Sequence, residues 1–153
     1  MLGRNYEKQI CSIARTLEIV GERWTLLIIR DALLGLRRFD ELQQSLGVAR
    51  NVLADRLHRL VEHGILERVR YQERPERFEY RLTARGRELG MVVLALMHWG
   101  DRHLAGPEGA PRLTQHAGCG GAIVERHVCS KCGHALEGDE VTILPGPALA
   151  SHS

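Results

Sequence analysis

Along the first hundred residues, apolar positions recur with a spacing that changes only once. Ile13, Leu17 and Val20 lie at helical spacing and predict a first helix over Cys11 to Val20, closed by Gly21. From Glu22 to Leu34, apolar residues surround the axis almost completely, from Trp24 through Ile28 and Ile29 to Leu34. That pattern predicts a buried central helix, ended by Gly35. Arg37-Arg38-Phe39 reads as a short extended link, Asp40 to Leu46 as a brief third helix stopped by Gly47, and Arg50 to His63 as a fourth capped by Gly64. In the fourth, Leu53, Leu57, Leu60 and Val61 form one stripe, while Asn51, Asp55, His58, Arg59 and Glu62 take the opposite face.

Beyond Gly64 the period falls from about 3.6 to about 2. Ile65 to Tyr71 and Phe78 to Leu82 read as strands, joined by the polar loop Gln72 to Arg77. Thr83 can cap a long helix from near Ala84 to about His103, whose apolar stripe outruns what a small domain can cover and so predicts a partner subunit. Residues 105–112, rich in Gly and Pro, are a linker between a domain at 1–104 and a smaller module at 113–147. Ala122 to Val128 and Val141 to Leu144 alternate like strands, and 148–153 reads as a disordered tail. No internal repeat is evident.

Helices in that order, followed by a hairpin and a closing helix, predict an α+β fold, mostly α: a winged helix-turn-helix domain followed by a small zinc-ribbon-like β module. The fourth helix, at about 1.5 Å per residue, is long enough to lie in a major groove about 12 Å wide. Arg50 and Asn51 in its first turn are side-chain types able to contact guanine and adenine edges in bidentate fashion, and Asp55 shares their face. Arg56 and Arg59 suit phosphates, Arg74 and Arg77 in the wing would lie against the flanking backbone or minor groove, and Arg37 and Arg38 before the third helix are further DNA-binding candidates.

Charge sharpens this reading only when it is divided along the chain. The net charge is +2 overall, but residues 1–103 hold +4 and residues 104–153 hold −2, and Arg50 to Arg87 contains ten arginines against six acids. The basic excess therefore sits where the helix-turn-helix and wing are predicted. With 44% apolar and 26% charged residues, no run near 18 apolar residues, and charge within Met1 to Ile10, the composition predicts a soluble, cytoplasmic protein with no membrane partner.

Three of the four cysteines crowd into the C-terminal module. His116-x2-Cys119 and Cys129-x2-Cys132 are paired short-gap ligand sets, each followed by glycine, and predict one structural zinc held by His116, Cys119, Cys129 and Cys132. His127 and His134 compete for the fourth position, and a redox cysteine pair or an unmetallated fold are the alternatives to zinc. Cys11, at the start of the first helix near Lys8 and Arg15, is either a redox-sensing thiolate or a small buried apolar side chain. No His-Glu-x-x-His, deaminase zinc pattern, nucleophile elbow or glycine-rich phosphate loop is present, so the chain is not expected to be an enzyme.

Several separated motifs also carry a family resemblance. Cys11 with Ala14-Arg15, Gly21-Glu-Arg-Trp-Thr25-Leu-Leu-Ile-Ile-Arg30, Arg38-Phe39-Asp-Glu-Leu42, Asn51-Val-Leu-Ala-Asp-Arg-Leu57, Gly64-Ile-Leu and Glu79-Tyr-Arg-Leu-Thr-Ala-Arg-Gly86 resemble the HxlR-type transcriptional regulators over roughly residues 8–103. The resemblance implies a dimeric, MarR-related, sequence-specific regulator of double-stranded DNA, paired through the first and last helices of the domain. Some members sense oxidants or electrophiles through an N-terminal cysteine, so oxidants, electrophiles or a small ligand are the candidate effectors. At the wing, Arg74-Pro75-Glu76 keeps one proline where the family usually has an apolar residue and two prolines. The competing function is a zinc-stabilised protein-interaction module or redox switch without sequence-specific DNA binding.

Overall fold

The computed structural model describes residues 5, 6 and 8–151. Five helices and a two-stranded antiparallel sheet follow one another as α1 (Ser12–Val20), α2 (Thr25–Leu33), α3 (Phe39–Leu46), α4 (Arg50–Glu62), β1 (Leu66–Glu73), β2 (Glu76–Leu82) and α5 (Ala84–His103). Residues 1–97 and 98–153 form two compact units, with the boundary inside α5.

The first unit is built around one apolar cluster. Ile28 and Ile29 from α2, Leu42 and Leu46 from α3, and Leu53, Leu57 and Leu60 from α4 are buried together with Ile65 and Leu66 at the entry to β1. The predicted stripe of α4 is thus its core face, with Val61 partly buried at its margin. Burying such aliphatic side chains stabilises each by about 1.5–3 kcal/mol, which makes this cluster the anchor that aims α4.

α2 departs from its expected form in two ways. It starts at Thr25, because Trp24 adopts φ 81°, a left-handed conformation that interrupts a helix begun at Glu22. Nor is it buried all round: Leu27, Leu33 and Leu34 are exposed, and only the face bearing Thr25, Ile28, Ile29 and Asp31 is fully covered. A single small domain supplies neighbours for one side of this helix, not for its whole circumference.

The wing is tighter than the pattern of polar residues predicts. Pairing runs from Leu66↔Leu82 to Arg70↔Phe78, shifts at Tyr71, and resumes through Gln72↔Arg77 to Glu73↔Glu76. The six-residue loop expected at Gln72–Arg77 is therefore mostly ladder, with only Arg74 and Pro75 at the tip. Arg70 and Glu76 form an ion pair at 3.0 Å across this polar stretch, so charge stabilises pairing where apolar alternation has ended.

Thr83 joins the wing to α5. Its hydroxyl donates to the Gly64 carbonyl at 2.5 Å and accepts the Gly86 N–H at 3.0 Å, so it caps α5 and ties the helix to the end of α4. A Cβ at Gly86 would stand 2.1 Å from the Ile65 carbonyl oxygen, and only glycine permits so close an approach.

In the second unit the expected strands at Ala122–Val128 and Val141–Leu144 are not formed. Isolated bridges Gln115↔Ala122 and Val128↔Ala135 stand there instead, with a 3-10 turn at Gly138–Glu140. Alternation alone cannot make a strand without a partner edge to satisfy its backbone. Pro147–Ala150 makes one helical turn, α6, which runs from the end of the predicted module into the segment 148–153 expected to be disordered, while residues 152 and 153 lie outside the described residues. His98 within α5 holds Glu125 at 2.6 Å and the Thr114 hydroxyl at 2.9 Å, anchoring the chain of this unit.

Candidate nucleic-acid interface

The turn between α3 and α4 positions the interface. Gly47 adopts φ 63°, Val48 drops into the core, and Ala49 enters α4 with extended backbone. Ala49 offers no side-chain cap, so the first amides of α4 have no side-chain acceptor from that position. Arg50 and Asn51 follow at once and are exposed. The Arg50 guanidinium lies 4.5 Å from the Phe39 ring centroid and 3.6 Å from the Asp40 carboxylate, so the start of α3 holds this arginine at the head of α4.

Phe39 belongs to an aromatic shelf that is not evident from the spacing of basic residues. Arg38 lies over Tyr71 at 5.0 Å and Arg68 over Phe78 at 3.5 Å. The starts of α3 and α4 and the two wing strands enclose a cleft lined by Arg38, Arg50, Tyr71 and Arg77. The available signal was the strand register, which sets arginines against aromatic positions across the hairpin. The backbone adds a brace, Tyr80 N–H to the Arg37 carbonyl at 2.7 Å, joining the wing to the entry of α3.

The predicted arginines divide into two groups. Arg37, Arg38, Arg74 and Arg77 are exposed, and none forms an ion pair among the described residues. Arg56 and Arg59, expected at phosphates, are partly buried and bond within the chain. Arg56 donates to the Arg23 carbonyl at 3.2 Å and to Glu22 at 3.3 Å, and Asp55 also pairs with it. Arg59 donates to the Glu18 carbonyl at 3.0 Å and approaches Glu22 at 3.6 Å. Both flank the buried stripe of α4, so their long side chains fold back onto the junction of α1 and α2. Glu41 completes the local frame by accepting the Arg38 and Arg37 amides at 3.0 and 3.1 Å, and these bonds hold its carboxyl below the ordinary range.

Cys11 is the N-cap residue of α1 and is exposed in the single chain; its side chain makes no capping bond. In the second unit, His116 Nδ1 lies 3.2 Å from Cys119 Sγ. Cys129 is held low in pKa by the Cys132 amide first, then by the Lys131 amide and the Cys132 thiol. Of the rival ligands, His134 pairs with Glu140 at 3.3 Å and the His127 carbonyl accepts the Leu136 amide. Among the described residues no three His, Cys, Asp or Glu side chains share a metal-holding centre, so the four predicted ligands stand as two pairs.

A family model described as HxlR-like helix-turn-helix matches residues 19–107. The chain belongs to that family. This HxlR-like regulator is 48% identical over 138 residues to the uncharacterized HTH-type transcriptional regulator Rv3095 of Mycobacterium tuberculosis, covering 90% of this chain and 87% of the relative. Among solved structures it is similar to the candidate transcription factor PA1607, with TM-score 0.81 and 35% identity over 92% of this chain and 98% of that one. It is also similar to the redox regulator HypR in its oxidized form, with TM-score 0.58 and 29% identity over 63% of this chain and 100% of that one. The protein is an HxlR-like, DNA-binding transcriptional regulator. No helix among its described residues is long and apolar enough to cross a membrane.

Proposed function

We propose that two copies of this HxlR-like regulator pair through α1 and α5 and read an inverted repeat in duplex DNA, each with one α4 helix. The observation that carries the reading is the exposed first turn of α4, where Asn51 follows Arg50 and Arg50 lines one cleft with Arg38 and Arg77, while Arg37 and Arg74 are exposed on the neighbouring link and wing tip. Arg50 and Asn51 read base edges, and the four arginines contact phosphates and set the register. Pairing is supported by the apolar residues that α1 and α5 leave exposed. Ile13 is 72% exposed, Met91 68% and Leu96 52%, an apolar surface that a lone subunit would leave in water. A two-fold pair presents its recognition helices to successive major grooves on one side of the duplex. Selection of bound duplexes from a random pool tests the proposal. It should recover an inverted repeat with half-site centres about 10 base pairs apart. Recovery of a single unrepeated half-site would overturn the paired arrangement.

Cys11 supports an oxidant or electrophile as the effector. Its thiol is exposed at the start of α1, one of the two pairing helices, so a modification there bears directly on the dimer. HypR, with which the fold is shared, is named a redox regulator. The reaction at Cys11 is oxidation of its thiolate by a hydroperoxide to a sulfenic acid, with an alcohol or water as the reduced product.

A further inference from the structure

The DNA-reading unit makes no use of the two short turns in residues 113–137, and these have the same architecture. In the first, His116 N–H donates to the Gly121 carbonyl at 2.8 Å and Gly120 N–H donates back to the His116 carbonyl at 2.8 Å. In the second, Cys129 N–H donates to the His134 carbonyl at 2.9 Å and Gly133 N–H to the Cys129 carbonyl at 2.8 Å. Both are flanked by one antiparallel bridge, Gln115↔Ala122 and Val128↔Ala135. Both place glycine at φ 75° directly after the second ligand-type residue, Gly120 after Cys119 and Gly133 after Cys132.

We infer that these matched turns are two half-sites for one structural zinc ion, held by His116 and Cys119 from the first and by Cys129 and Cys132 from the second. In the first turn the two side chains already converge. His116 Nδ1 and Cys119 Sγ are 3.2 Å apart, close to the separation of about 3.5 Å that two donors keep on a tetrahedral zinc with bonds near 2.1 and 2.3 Å. The second turn repeats the backbone bonds and the left-handed glycine of the first, which sets Cys129 and Cys132 at the positions that His116 and Cys119 take there. Gly118 makes room for the histidine, since a Cβ there would lie 2.8 Å from His116 Cε1.

A dithiol switch would account for Cys129 and Cys132 but not for a second copy of the same turn bearing a histidine. Nor do the described residues of this unit form an apolar core to order it: Leu113, Val124, Ile143 and Leu144 are all at least 70% exposed. A chain with so little buried surface needs a cross-link, and a tetrahedral ion supplies one. The two pairs do not yet share a centre, and the residues between the turns, 123–127, carry neither helix nor strand. Bringing the half-sites together therefore rearranges coil and unfolds no element. Binding releases the three thiol protons to solvent as the thiolates take up the ion.

The test uses the full chain, reduced and stripped with a chelator, titrated with Co²⁺ alone and then with Zn²⁺. One Co²⁺ per chain with the intense visible bands of a tetrahedral thiolate site is expected, displaced by one equivalent of Zn²⁺. His116→Ala and Cys129→Ser should each lower zinc affinity at least tenfold, on the order of the loss seen when metal-site partners are removed. Far-ultraviolet circular dichroism should meanwhile keep the helical signal of α1 to α5, which separates lost ligation from lost folding. Absence of the tetrahedral spectrum in reduced protein would overturn the inference. So would undiminished zinc affinity in either Cys119→Ser or Cys132→Ser, because one turn alone would then suffice.

Discussion

Arg56 in α4 reaches back to Glu22, between α1 and α2, with Nη2 to Oε2 at 3.3 Å, and only 18% of its side chain is exposed. Its Nε meanwhile donates to the Arg23 carbonyl. The guanidinium thus serves the packing of the recognition helix. Arg56→Ala should lower unfolding free energy by about 1–2 kcal/mol, the sum of one partly exposed ion pair and one charged hydrogen bond. DNA affinity measured well below the melting temperature should stay near the native value. Unaltered stability together with a marked loss of DNA affinity would place Arg56 on phosphate instead.

Glu41 gives the helix-turn-helix an acid limb. The Arg38 and Arg37 amides hold its carboxyl below the ordinary value, so its contribution is complete above that value and is lost as pH falls through the lower, folded one. Urea midpoints of the native protein and Glu41→Gln, compared between pH 7 and pH 3, read this directly. The native protein should be the more stable at pH 7, and the difference should shrink on acidification. A constant difference across that range would remove Glu41 ionisation from the account.

Exposure of Cys11 makes oxidation testable in solution. Mild hydroperoxide should release DNA from the native protein, and Cys11→Ser should stay bound under the same treatment. Equal release from both proteins would move the response to Cys119, Cys129 or Cys132.

The order of helices, the hairpin and the exposed head of α4 were legible because local signals agree there. Gly47 and Gly64 end α3 and α4 in left-handed backbone, and Leu53, Leu57 and Leu60 share one buried face. The intrachain contacts of Arg56 and Arg59 were not, because their shared partner Glu22 lies more than thirty residues away and periodicity carries no information about it. The wing was misjudged in length for a related reason: Gln72 to Arg77 is polar, but Arg70 and Glu76 pair across it and keep the ladder going. In the C-terminal unit, the two short-gap spacings fall on two turns of the backbone, while alternation from Ala122 predicted strands that have no sheet to join.

Base reading by the first turn of α4 is the central claim, and a comparison of two arginines tests it most directly. Binding of the native protein, Arg50→Ala and Arg77→Ala is measured on a selected operator and on random duplex at several salt concentrations. Arg50→Ala should lose about 1–3 kcal/mol of discrimination between the two duplexes. Arg77→Ala should weaken both alike and reduce the salt slope by about one. Equal loss on operator and random DNA in Arg50→Ala would contradict the claim.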